Sequence, residues 1–384
     1  MPSVMPIFGT RPEAIKMAPI VSAFQESKDF DCIVTVTGQH REMLDQVNEL
    51  FGIVPDHDLN ILQQRQSLSA IMTRTIDGLD KLFTDKKPDA VIVQGDTTTS
   101  TAGAIAAFYH GIPVVHVEAG LRSGDLFSPF PEEANRKITS QIASLHLAPT
   151  SVSRANLLAE GISEDNIVVT GNTVIDALLT TVDKHIPFSD PQLEDLAASG
   201  RRILLVTTHR RENQGDAMRG VGRALARIAE AEPELVIVLP AHKNPVVREA
   251  VLPALEGKAN VVVTEPLAYG EFTRMLSMAH IVLTDSGGVQ EEAPSLGKPV
   301  LVMRDNTERP EAVDAGTVTL IGTAEERIVT EVSRLLNDSN HFDTMANAVN
   351  PYGDGRASER TVAAVAELLG VGQRIDEFGV APVA

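Results

Sequence analysis

Short apolar runs bounded by Gly, Pro or Asp alternate along this chain with longer amphipathic stretches, and few folds accommodate that order. In the first half the runs are Val4–Phe8, Cys32–Val36, Ala90–Gln94, Val114–Val117, Leu145–Ala148 and Ile167–Val169. Between them, Pro12–Glu26, Glu42–Phe51, Leu68–Phe83 and Thr98–Tyr109 read as helices. The pattern restarts at Arg202–Thr207 and continues through Leu235–Leu239, Val261–Thr264, Ile281–Thr284, Pro299–Met303 and Thr317–Leu320. Strand-then-helix alternation predicts a parallel sheet covered on both faces. At 384 residues the chain exceeds the roughly 250–300 at which one core stops growing, so two doubly wound α/β halves are expected. The most polar, turn-rich connection is His185–Gly200, which puts the hinge between about Gly171 and Gly200. Ala357–Leu369 reads as a helix with Val362, Val365 and Leu369 on one face, and Gln373–Ala384 reads as frayed.

Charge narrows the partners. With 33 Lys and Arg against 52 Asp and Glu, the formal charge is −19, which repels phosphate polymers and anionic lipid surfaces. Neither nucleic acid nor a membrane is an expected partner. Aromatics make up 4% with no Trp, too few for a stacking platform. The single cysteine, Cys32, can form neither an internal disulfide nor a multi-thiolate metal site; it falls in a strand run and reads as inert packing. No apolar run reaches the ~18 residues of a spanning helix and no signal-peptide pattern opens the chain, so a cytoplasmic location is expected.

In open parallel sheets, ligands bind beyond the C-terminal strand ends. After the first strand comes Gly9-Thr10-Arg11-Pro12-Glu13, in which Thr10 and Glu13 form a capping box and Pro12 suits the first turn. Helix grammar does not explain Arg11, a cation at the end of a helix where carboxylates are preferred, nor Lys16 one turn on. Solvated surface charge is the plain alternative; a bound anion is the functional one. Ser286-Gly287-Gly288, after another strand, lets backbone donors approach a phosphate, although a Ser-capped helix with glycines for packing explains it equally well. Glu292, one turn further, is placed to accept bonds from ribose hydroxyls. Other strand-end loops hold Asp96, Glu118, Arg122, Asp125, His209, Arg210, His242, Lys243, Arg304 and Arg309. Basic residues gathered at strand ends of an acidic chain predict a small anionic ligand bound between the halves. Asp96 and Glu118 follow strands of one sheet, and carboxylates crowded in a cleft are expected to push one another's pKa upward, one donating while another accepts. His116, His209 and His242 lack metal-ligand spacing, so no metal is expected.

These stretches together resemble the non-hydrolysing UDP-N-acetylglucosamine 2-epimerases of bacteria. The resemblance runs from Phe8-Gly9-Thr10-Arg11-Pro12-Glu13-Ala14-Ile15-Lys16 to Asn350-Pro351-Tyr352-Gly353-Asp354-Gly355. Between them lie Gln39-His40-Arg41-Glu42-Met43-Leu44-Asp45, Gly95-Asp96-Thr97-Thr98-Thr99, Val117-Glu118-Ala119-Gly120-Leu121-Arg122 and Pro131-Glu132-Glu133-Ala134-Asn135-Arg136. Thr170-Gly171-Asn172-Thr173, His209-Arg210-Arg211-Glu212-Asn213 and Thr284-Asp285-Ser286-Gly287-Gly288 complete it. It implies a GT-B architecture, two Rossmann-like doubly wound parallel-sheet domains facing a cleft. The first domain would span 1–175, the second, nucleotide-binding one 176–355, and a C-terminal helix 356–372 would pack back on the first.

The resemblance implies interconversion of UDP-GlcNAc and UDP-ManNAc with no cofactor, neither NAD nor metal, in a homodimer. By the family pattern Arg11, His209, Phe272, Ser286, Gly287, Gly288, Glu292 and Arg309 hold the nucleotide. Lys16, Asp96, Glu118 and Glu132 match acid/base and sugar-facing positions, and His209 joins the catalytic set. The chemistry explains those types, because the sugar C2 proton has no adjacent carbonyl and plain deprotonation is prohibitive. Expelling UDP from C1 as a carboxylate takes that proton gives 2-acetamidoglucal, and cations stabilise the leaving diphosphate. Reprotonation on the other face calls for acids on two sides; the residues alone do not say which acid serves which face. A hydrolysing relative, releasing ManNAc and UDP, is the alternative enzyme, and an idle nucleotide-sugar sensor the alternative of another class. A second, activating UDP-GlcNAc site would draw on Gln39, Arg65, Glu132, Arg210 and His242, although Glu42 stands where regulated forms carry Gln.

Overall fold

The computed structural model describes residues 1–39, 41–63 and 66–379, with the Glu42 side chain set aside; His40 and Arg65 therefore lie outside the described residues. The chain divides into two compact units, Met1–Ala177 with Tyr352 onward, and Leu178–Pro351. Tyr352 belongs to the first unit because its carbonyl accepts the Asn172 N–H at 2.6 Å.

The first unit carries β1 (Ser3–Phe8), β2 (Asp31–Cys32), β3 (Thr35–Val36), β4 (His57–Asp58), β5 (Ala90–Gln94), β6 (Val114–Val117), β7 (Leu145–Ala148) and β8 (Ile167–Val169). They pair in the order β4-β3-β1-β5-β6-β7-β8 with β2 also on β1, and every pairing is parallel. Residues of β5, β6, β7 and β8 are buried throughout, as strands covered on both faces must be.

One apolar run is not one strand. Cys32–Val36 is broken at Ile33-Val34, where the Val34 N–H donates to an Asp56 carboxylate oxygen at 2.8 Å. That turn toward the edge brings in β4, a polar pair with no apolar run to announce it. Cys32 is half-buried rather than buried, and its thiol is pushed up to about 12 by burial and by Asp56 and Asp31. So high a value leaves almost no thiolate at neutral pH.

The second unit holds β9 (Ile203–Thr207), β10 (Val236–Pro240), β11 (Val261–Thr264), β12 (Ile281–Thr284), β13 (Val300–Val302) and β14 (Val318–Leu320), in the parallel order β11-β10-β9-β12-β13-β14. Leu204, Val206, Leu239, Leu283 and Leu301 pack in its core against Met218, Leu225 and Ile328 from covering helices. In each unit the strand order reverses at one place, between β1 and β5 and between β9 and β12. Loops leaving two such strands diverge to opposite faces and open a crevice at the C-terminal edge. Each unit is thus a Rossmann-like doubly wound sheet.

Helix Ala357–Leu368 packs on helix Arg11–Glu26 and on β7. Its first N–H groups are capped from elsewhere: Asp176 accepts Ala357 N–H at 3.2 Å and Ser358 N–H at 2.8 Å. The expected fraying of the tail does not occur over 373–379. Phe378 N–H donates to the Val169 carbonyl at 2.8 Å, Glu377 pairs with Arg154 at 2.8 Å, and Arg360 lies over the Phe378 ring at 5.7 Å. The tail has no apolar period to read, yet it supplies partners that the sheet edge and a buried arginine lack. Residues 380–384 lie outside the described residues.

Candidate active site

At the first reversal point, the turn after β1 takes the expected form. Thr10 accepts the Glu13 N–H, and Glu13 Oε2 accepts the Thr10 and Gly9 N–H groups at 2.7 and 3.0 Å. Gly9 is required here, since a Cβ would lie 1.9 Å from Thr37 Oγ1. Glu13 Oε1 also accepts the Thr97 hydroxyl at 2.6 Å, so one fully buried carboxylate ties the β1 loop to the β5 loop. Burial raises its pKa, and hydrogen bonds from Thr97, Gly9 and Thr10 oppose the rise.

That clamp fixes the start of helix Arg11–Glu26, which offers Arg11 from its first position and Lys16 one turn later. Arg11 is half-buried and has no side-chain hydrogen bond or ion pair among the described residues. Lys16 Nζ lies 2.5 Å from Glu118 Oε1. Glu118 follows β6 directly and adopts φ +60°, a region that costs a side chain about 1–3 kcal/mol. Its carboxylate also accepts from the Gln94 amide, on the neighbouring strand, and from Asn172 Nδ2 at 3.2 Å. Three donors from three chain segments hold an acid in strained backbone at the edge of the sheet.

Asp96, after β5, is gripped by Arg136 at 2.6 Å, and its carbonyl accepts from Asn135 at 2.8 Å. Burial opposes the Arg136 charge, but Asp96 and Glu133 outweigh it and hold that pKa above its ordinary value. Glu133 stays below its own: burial pushes it up, yet the Ser123 and Gly124 N–H groups and Arg136 pull it down further. Asp96 and Glu118 each have a cation within ion-pair distance, because neighbouring helices bring Arg136 and Lys16 to them. Glu132 opens helix Glu132–Ile142 half-buried and without a side-chain partner among the described residues. His116 is buried under the β5 loop, bonded through Nε2 to the Gly95 carbonyl at 2.7 Å, and burial lowers its pKa to about 4. It is a neutral prop for that loop.

At the second reversal point the same device recurs. Asp285, fully buried after β12, accepts the backbone N–H groups of His209 and Arg210 at 3.0 Å, the Thr208 hydroxyl at 3.0 Å and Asn213 Nδ2 at 3.3 Å. His209 Nδ1 lies 3.2 Å from its other oxygen. Burial alone would raise the Asp285 pKa; the His209 ring and the two N–H groups bring it below the ordinary value. Next, Ser286 sits at the N-cap of helix Gly287–Glu292, yet its side chain makes no capping bond, so the capped-helix explanation of that serine fails. Arg309 lies over Gly287, where a Cβ would come within 2.8 Å of Nη1, and is fixed by Glu291 at 2.6 Å. Glu292 is buried one turn on, and Phe272 is half-buried in helix Tyr269–Met278 after β11.

Of the residues expected for an activating site, Gln39 accepts from Thr99 at 2.6 Å in the first unit. In the second, Arg210 lies 4.0 Å from Glu308 and the His242 ring stacks on His209 at 5.7 Å. Among the described residues, no group of three or more His, Cys, Asp or Glu is disposed to hold a metal ion. No helix among them is long and apolar enough to cross a membrane.

Sequence reasoning gave no role to Gln94, Arg136 or Asp285. Two of the three left a trace: an amide ends the apolar run of β5, and an acid directly follows β12. Arg136 left none, because a helix surface arginine is ordinary until its target is known.

The sequence profile of the UDP-N-acetylglucosamine 2-epimerase family matches residues 22–366. The UDP-N-acetylglucosamine 2-epimerase of Salmonella typhimurium is 54% identical, over 94% of this chain and 98% of that one. Among solved structures, the UDP-GlcNAc 2-epimerase of Neisseria meningitidis bound to UDP-GlcNAc is 46% identical, with a TM-score of 0.83 over 95% of this chain and 100% of that one. The S. aureus MnaA–UDP co-structure is 45% identical, with a TM-score of 0.85 over 99% and 100%. Two Rossmann-like units are the components of the GT-B class; the chain belongs to the UDP-N-acetylglucosamine 2-epimerase family.

Proposed function

We propose that this chain interconverts UDP-GlcNAc and UDP-ManNAc at C2 by eliminating UDP and adding it back, consuming no water. The C1–O bond breaks and its electron pair leaves with the diphosphate, the C2 proton passes to a carboxylate, and a C1–C2 double bond forms. A proton then returns to the opposite face of C2, and a diphosphate oxygen re-forms the bond to C1.

In this reading Asp96, Glu118 and Glu132 handle the proton and Lys16 keeps Glu118 in place. His209, Phe272, Ser286, Gly287, Gly288, Glu292 and Arg309 of the second unit hold UDP, and Arg11 is a UDP-binding residue. Positive donors at the diphosphate stabilise the charge that grows as it departs, typically a few kcal/mol each. The observation that carries the reading is Glu118, an acid kept in left-handed backbone and oriented by three donors at a ligand-type sheet edge. Relatives solved with UDP-GlcNAc and with UDP support the substrate class.

An NMR time course in D₂O tests it. UDP-GlcNAc should give UDP-ManNAc carrying deuterium at C2, without added nicotinamide or metal. Product free of label defeats the elimination scheme, and free ManNAc as the main product makes the chain a hydrolase. Starting from UDP-ManNAc with and without trace UDP-GlcNAc tests whether UDP-GlcNAc activates the chain.

A further inference from the structure

We infer that Asp285 is a positioning residue that holds the ring proton of His209 on Nδ1 and thereby presents Nε2 to the ligand. The inference rests on the reading of His209 as a UDP-holding residue: the bare Nε2 is the nitrogen that takes up a proton, and the N–H formed there is the donor to the diphosphate.

Both Asp285 oxygens act as acceptors. Oδ2 takes the Thr208 hydroxyl and the His209, Arg210 and Asn213 N–H groups, while Oδ1 faces His209 Nδ1 at 3.2 Å. A carboxylate in that state has no proton to give, so the ring nitrogen opposite it must carry one. The tautomer of an imidazole follows from the bond its other nitrogen makes. The neighbouring ring has the reverse assignment: His242 Nδ1 accepts the Asn244 N–H at 3.2 Å, which puts its proton on Nε2. The two imidazoles stack at 5.7 Å and 24°, so neighbours of one chemistry are set to opposite tautomers by their loops. Asp285 from the end of β12 and His242 from the end of β10 lie against the His209 ring. The His209 side chain is 41% exposed, and its Nε2 has no partner among the described residues.

Asp285 would also tie down the 208–213 loop if its role were structural alone, so the test must read the ring itself. In uniformly ¹⁵N-labelled full-length protein, two-bond ¹H–¹⁵N spectra report the tautomer of each histidine, and loss of one set in His209→Gln assigns His209. The expected wild-type result is protonated Nδ1 and unprotonated Nε2 in the neutral ring. In Asp285→Asn the ring should shift toward the ordinary Nε2–H form. Turnover should fall roughly 10²–10³-fold, less than the ~10⁴ of a triad aspartate, with UDP affinity within about threefold. A wild-type ring already in the Nε2–H form overturns the inference without any variant, and so does an Asp285→Asn ring or turnover indistinguishable from wild type. Deuterium exchange at C2 by the wild type is measured alongside: its absence removes the epimerase reading while leaving the tautomer result intact.

Discussion

The Lys16 ammonium lies 2.5 Å from a Glu118 carboxylate oxygen, at 20% and 8% side-chain exposure, although the residues are 102 positions apart. Gln94 and Asn172 also donate to that acid. Proton transfer requires an acid whose position is fixed before the substrate arrives, and this arrangement supplies it.

Glu118→Gln keeps the shape and removes the carboxylate. Interconversion should slow roughly 10²–10⁴-fold, with UDP affinity by calorimetry within about threefold. Lys16→Met removes the ammonium that pairs with Glu118 and should lower turnover at least about tenfold. Wild-type rates in both variants would remove Glu118 from the reaction.

Two glycines separate fold from site. Gly287 has ordinary backbone, so Gly287→Ala should leave the melting temperature within a few degrees. Its new methyl, 2.8 Å from Arg309 Nη1, displaces that guanidinium and should weaken UDP binding about tenfold or more. Gly120 combines φ +93° with a Cβ position 2.2 Å from the Ser153 carbonyl oxygen. Gly120→Ala should cost about 3 kcal/mol or more of stability, read from urea unfolding. Equal effects of the two substitutions on stability would contradict this division.

The Arg122 guanidinium, 2.7 Å from Glu160, holds that carboxyl at about 2, against partial burial and with help from Lys137. A carboxylate depressed from 4.5 contributes stability that is complete above that pH and disappears as pH falls through 2. The shift sets a ceiling of about 3 kcal/mol, and partial exposure brings the expected value to about 1–2 kcal/mol. Glu160→Gln should therefore be less stable than wild type by that amount at pH 7, with the gap closing between pH 4.5 and 2. A gap that does not change with pH counts against the pairing.

Ending the chain at Gly372 removes the Phe378 bond to β8, the Glu377 ion pair and the Asp376 carbonyl that accepts from Arg360 at 3.0 Å. Arg360 is 5% exposed and would keep its charge with fewer partners. A loss of about 2–4 kcal/mol should lower the melting temperature by about 5 °C or more. Phe378→Ala, a milder change, should lie between the truncated chain and wild type. An unchanged melting temperature on truncation would mean the tail adds nothing.

Much of the fold was legible because its signals are local. Val91, Ile92 and Val93 read as strand since a doubly covered sheet buries every residue of the run, and Thr10 with Glu13 read as a helix start since a capping box lies within four residues. Neighbours along the chain carry no such signal for β4, where His57-Asp58 becomes a strand only because Thr35-Val36 lies alongside. The tail likewise looked free because Phe378 meets Val169 and Arg360 only after folding.

The amino-acid order by itself determined two doubly wound sheets and concentrated the acids and cations of the site at strand ends, because hydrophobic period and turn chemistry act over a few residues. Tertiary structure alone decided which of those charges meet. Lys16 finds Glu118, Arg136 finds Asp96, and Asp285 reaches the His209 backbone 76 positions away. Strand order sets those distances, and a charge interaction falls off too steeply with separation to be read before the order is known.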